Sequence, residues 1–70
     1  MKLKPVDSEM LTFVGYDAQA RILKVVFNTG GTYQYKEVPA SEYEKLMSAE
    51  SIGQYMHRYI IDHYDHERLN

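Results

Sequence analysis

Thr32-Tyr33-Gln34-Tyr35-Lys36-Glu37-Val38-Pro39 is where the chain changes its period. Upstream of it, stretches rich in β-branched and aromatic residues read as strand; downstream, apolar residues recur at three and four. Tyr33 and Tyr35 stand two apart, so on a strand both rings point to the same face. Pro39 has no N–H to give to a ladder and stops the strand. These eight residues therefore read as the last strand of a sheet, delivered directly into a helix.

Working back from this stretch, Arg21 to Asn28 (RILKVVFN) is the clearest strand. Leu23, Val25 and Phe27 share one of its faces, and Ile22, Lys24 and Val26 share the other. Met10 to Tyr16 is rich in β-branched and aromatic residues and reads as the first strand. Asp17-Ala18-Gln19-Ala20 is a polar turn without glycine. In Asn28-Thr29-Gly30-Gly31, the asparagine suits the start of a type I turn and Gly31 the left-handed residue of a three-residue loop. That loop pairs Asn28 with Thr32, Phe27 with Tyr33, Val25 with Tyr35 and Lys24 with Lys36. It gathers Leu23, Val25, Phe27, Tyr33 and Tyr35 on one side. A two-residue Gly30-Gly31 turn would instead carry both tyrosines to the opposite face.

Working forward, Ala40, Tyr43, Leu46 and Met47 mark one face of a short helix ending near Ala49. It starts either with a Ser41/Glu44 capping box or with Pro39 at the first helical position. Ser51 and Gln54 form a second capping-box pair. Behind them Ile52, Tyr55, Met56, Tyr59, Ile60 and His63 make a continuous stripe. Gly53 in the first turn allows another backbone to come close. The expected fold is α+β: a three-stranded antiparallel β-meander followed by two helices packed on one face, the other face open. The domain is expected over residues 10–64, with 1–9 a loose arm and 65–70 a frayed tail.

Composition narrows the classes of function. Seventy residues make one domain, near the lower limit for a core without staples. There is no cysteine, hence no disulfide framework and no thiolate metal site. Met1-Lys2-Leu3-Lys4-Pro5 lacks the apolar segment of a secretory leader, and no apolar run approaches membrane-spanning length. A cytoplasmic location without membrane contact is the expectation. The net charge of −2 is not that of a protein built to collect duplex phosphates, so nucleic-acid contact needs a local patch.

Several motifs in order give the chain a family likeness. They are Gly15-Tyr16-Asp17, the L-x-V-x-F run at 23–27, Gly31-Thr32-Tyr33-Gln34-Tyr35, Val38-Pro39, Ala49-x-Ser51-x-Gly53, and then Tyr55 and Ile60. Together they resemble the KTSC domain over about residues 8 to 64. That family is named for its place at the C-terminus of some lysyl-tRNA synthetases. The resemblance implies no established activity, and it points toward RNA binding. One departure weakens that implication: family members often carry basic residues just after the position of Ile60 and near the helix end, where this chain has Ile61 and His63.

The candidate nucleic-acid-binding set is Lys24, Gln34 and Lys36 on the open sheet face, helped by Tyr33, Tyr35 and Arg58. Lysines 24 and 36, directly opposite in the expected register, would invite an anion. The two tyrosines would serve as a stacking platform if exposed; the turn reading instead puts them under the helices as core. The second class of function is a protein-interaction module, acting through an exposed strand edge or the tyrosine-rich helix. His63 and His66, three apart, could share a helix face and hold one divalent metal, but two histidines without a fixed third ligand make a weak site, and a solvated helix end is the expectation. A glycine-rich phosphate loop and a cysteine nucleophile are both missing, and Ser41 and Ser51 read as caps. Neither catalysis nor a cofactor is expected.

Overall fold

The computed structural model describes residues 2–70. The sheet has five strands rather than three, all antiparallel, in spatial order β1-β2-β3-β4-β5. The strands are β1 (Lys4–Pro5), β2 (Leu11–Asp17), β3 (Ile22–Phe27), β4 (Thr32–Tyr35) and β5 (His66–Arg68). Helix α1 (Ala40–Ser48) and helix α2 (Ile52–Tyr55), which runs on into a π-helical segment (Met56–Ile60), fill the connection from β4 to β5. The expected meander is present as β2-β3-β4. Residues expected to form a loose arm and a frayed tail each supply an added edge strand. Both ends are tied by main-chain bonds, Val6 N–H to Thr12 carbonyl at 3.1 Å and Leu69 N–H to Thr32 carbonyl at 2.8 Å.

The β3–β4 turn corrects the expected register. Val25 lies opposite Tyr33, Leu23 opposite Tyr35, and Lys24 opposite Gln34, not Lys36. The loop does have three residues, but it is Asn28-Thr29-Gly30, closed by the Phe27 N–H to the Gly31 carbonyl and the Gly30 N–H to the Phe27 carbonyl, each 2.8 Å. Gly30, at φ 101°, takes the left-handed position expected of Gly31. A shift of two in pairing keeps every side chain on its face, so both tyrosines stay with Leu23 and Val25. The β2–β3 turn manages without glycine by another route. The Asp17 carboxylate accepts from the Gln19 and Ala20 N–H groups at 3.0 and 3.2 Å, and Arg21 takes φ 57°.

Strand β2 carries a bulge between Leu11 and Phe13. Leu11 and Val14, three apart, would face opposite ways on a regular strand. The extra residue turns both inward. They join Leu23, Val25, Tyr35 and Val38 beneath Leu46, Met56 and Ile60 of the helical layer, and this is the core. Gly53 sits where a Cβ would lie 3.2 Å from the Cβ of Met10, which is the close approach its position suggested. Ser51 caps α2 by accepting from the Gln54 N–H at 3.2 Å. Helix α1 begins at Ala40 with Pro39 in the cap position, so Ser41 is not a cap.

The π-helical segment has a physical reason. Ile52, Met56 and Ile60 are spaced four apart, and at about 100° per residue each step drifts roughly 40° round an α-helix. The Ile61 N–H instead reaches the Met56 carbonyl at 2.7 Å, five residues back. The widened turn keeps Met56 and Ile60 both buried and pushes Tyr59 outward to 51% exposure.

Candidate interaction face

Both helices cover one side of the sheet, and the other side is left open. Antiparallel register lays side chains of that side in rows across the strands. One row runs Pro5, Phe13, Val26 and Thr32. Leu69, whose N–H bonds the Thr32 carbonyl, extends it beyond β4. Phe13 is 37% and Leu69 41% exposed, large for apolar side chains. The adjacent row is polar: Gly15, Lys24, Gln34 and Glu67. Lys36 lies just past β4, with its Nζ 3.7 Å from Glu67 Oε2.

These positions divide the six sequence-derived candidates into three groups. Lys24, Gln34 and Lys36 share the open face as expected. Tyr33 and Tyr35 lie on the covered side. Tyr35 is only 3% exposed and its hydroxyl is pushed up by burial, by Tyr33 and by Asp62. Tyr33 is half-buried, edge-on to Phe27 with centroids 5.4 Å apart, and the Arg68 guanidinium lies 5.7 Å from its ring centre. Arg58 is exposed on the helical side. The expected lysine pair is absent, since Lys24 faces Gln34 and Lys36 is engaged by Glu67. Asp17, opposite Ile22, shares this face by parity, so the formal charges of Lys24, Lys36, Asp17 and Glu67 sum to zero.

The other tyrosines are mostly engaged within the fold. Tyr16 stacks on Tyr43 at 4.7 Å, and its hydroxyl donates to the Val38 carbonyl at 2.6 Å. Glu42 accepts from both the Tyr55 and Tyr64 hydroxyls, the latter at 3.1 Å. Partial burial and the bond to Glu42 push the Tyr55 hydroxyl up to about 12, and the same causes raise Tyr64. The strand edges of the β2-β3-β4 meander are likewise taken, by β1 and β5. His66 is on β5, so it shares no helix face with His63. Among the described residues no cluster of three or more His, Cys, Asp or Glu could hold a metal, and no helix is long and apolar enough to cross a membrane.

The apolar row is not evident from the sequence. Val26 is visible there on the outer face of its strand, but the parity of β2 is not, because the bulge brings Leu11 to the same side as Val14 while Phe13 faces out, and Leu69 reaches the face only because the tail pairs.

The chain matches the profile of the KTSC domain over residues 7–64. The crystal structure of a KTSC domain protein from Yersinia pestis superposes with a TM-score of 0.96 at 32% identity, covering 99% of this chain and 97% of that one. An uncharacterised protein of Stutzerimonas stutzeri is 32% identical over 71 residues, all of both chains. A lysine–tRNA ligase of Trichormus variabilis is 34% identical over 68 residues, 97% of this chain but 12% of the ligase. The chain belongs to the KTSC domain family.

Proposed function

We propose that this KTSC domain is a protein-binding module without catalysis, and that its working surface is the open face of the sheet. One observation carries the reading: the row Phe13–Val26–Leu69 sets apolar side chains across that face, beside a row that is polar and of no net charge. An apolar stripe rimmed by polar groups has the anatomy of a protein interface. The face is small. Five strands about 4.8 Å apart, of two, seven, six, four and three residues at about 3.3 Å each, give roughly 350 Å², against roughly 800 Å² per partner in a standard interface. Binding through it is therefore weak and reversible, which suits a module joined to a larger chain whose tether raises the local concentration.

The lysine–tRNA ligase relatives favour a second reading, RNA contact through Lys24, Gln34 and Lys36. An amide-resolved NMR titration with tRNA at low salt separates the two. The protein-binding reading expects the amides of Lys24, Gln34 and Lys36 to stay in place. Shifts at those three amides that vanish by moderate salt overturn it in favour of phosphate contact.

A further inference from the structure

A concavity lies away from the open face, at one end of the helical layer. It is a groove of about 730 Å³ between the loop leading into β2, the β3–β4 turn and the start of α2. That volume is in the range of ligand and peptide pockets. Its apolar lining comes from Met10, Phe27 and Ile52, each partly buried against the core. Asp7 and Glu9 line it from the loop before β2, and Glu50 from the α1–α2 connection. Neither lysine nor arginine lines it. Its formal charge is thus −3 with His57 neutral, more negative than the −2 of the whole chain. The single ion pair among the described residues, Lys36 with Glu67, is on the open face, so these three carboxylates have no cationic partner there.

The groove is built rather than incidental. Ser8 Oγ accepts from the N–H groups of Met10 and Leu11 at 3.1 and 3.3 Å, which fixes the loop carrying Asp7 and Glu9. Asn28 fastens that loop to the β3–β4 turn. Its N–H donates to the Met10 carbonyl at 2.9 Å and its side-chain amide to the Ser8 carbonyl at 3.3 Å. Gly53 lets α2 close against Met10.

We infer that this groove docks a segment of a partner protein that presents a lysine or arginine beside an apolar side chain. The assignment rests on charge complementarity. An aliphatic stem lies along the apolar lining while its cationic head reaches the carboxylates, an arrangement long basic side chains adopt readily. The neighbouring apolar side chain fills the remaining volume. The same carboxylates repel phosphates, so nucleic acid is not the occupant. The inference is independent of the open-face reading, because the two surfaces share no residue.

The test is an amide-resolved NMR titration of the full chain with the blocked tetrapeptide acetyl-LKLK-amide. Shifts are expected at residues 7–10, 27–29 and 50–57, with 33–36 unmoved. The acidic counterpart acetyl-LELE-amide should shift none of them, and spermidine, which has charge but nothing for the apolar lining, should act far more weakly. Changing Asp7→Asn, Glu9→Gln and Glu50→Gln together should weaken the basic peptide about tenfold, equivalent to about 1.4 kcal/mol. All three side chains are exposed, so the fold is expected to survive, and unchanged amide positions elsewhere would verify it. Scattered or absent shifts, equal binding of the acidic peptide, equal binding of spermidine, or an unaffected triple variant would each overturn the inference.

Discussion

Glu42 illustrates how single residues hold this small fold. Its carboxylate accepts from two tyrosines, Tyr55 on α2 and Tyr64 beyond the π-helical segment, and so clamps α1 to the middle of the second helical stretch and to the chain that follows it. Removing it by Glu42→Ala leaves two hydroxyls without their acceptor and should cost about 1–2 kcal/mol in urea denaturation, given typical hydrogen-bond contributions. The pH dependence has a definite sign. Tyr55 holds its proton up to about 12 in the folded chain but only to about 10 when unfolded. The native state therefore binds more protons between those values, and stability should be full below pH 10 and fall as pH rises toward 12. Tyr55→Phe should flatten that decline, measured as denaturation midpoint against pH. In the core, Met56→Ala should cost about 2–5 kcal/mol and Met56→Leu less than about 1.5, since only the first leaves a cavity.

Elements set the register and the edges. Gly30→Ala meets no atom within 4 Å, so its whole effect is the left-handed backbone, and a loss of about 1–2 kcal/mol is expected by thermal denaturation. Truncation after Tyr64 removes β5. Main-chain hydrogen exchange at Thr32 to Tyr35 should then accelerate, with the rest of β3 less affected, because β4 becomes the bare edge. How far such elements show in the sequence depends on where their information lies. Strands β3 and β4 announce themselves by alternation and β2 by its β-branched and aromatic content, and Pro39 and Ser51 mark helix starts by local chemistry. Strand β5 is His66-Glu67-Arg68, exposed throughout, and β1 is two residues including Pro5. Neither has an apolar face to alternate, so only pairing with a strand already in place makes them strands. The β3–β4 register is hidden from the sequence for a similar reason. Gly30 and Gly31 are both conformationally free, and nothing local decides which is left-handed. In the fold Gly30 is the left-handed one, while Gly31 is tight for a different reason, since a Cβ there would sit 3.2 Å from the Tyr33 ring.

At the scale of the whole molecule, the fold places its helices on one face of the sheet and leaves the other to solvent. Lys24, Gln34 and Lys36 are legible as residents of that open face by parity alone. The apolar row is not, because the β2 bulge breaks that strand's alternation at Leu11 and because Leu69 joins the row only through a tail that pairs. Phe13 and Leu69 contribute little to the core, so Phe13→Ser with Leu69→Ser should move the melting temperature by only a few degrees, about 1 kcal/mol or less for such exposed sites. The central claim is that this face receives another protein, and photo-crosslinking from it is the most direct test. With benzoylphenylalanine replacing Phe13, illumination in the native host's extract should give a discrete adduct. That adduct should be destroyed by protease, resist ribonuclease, disappear with Leu69→Ser and be missing when the same group replaces Glu44 on α1. An adduct removed by ribonuclease, or trapping from position 44 with none from position 13, would contradict it.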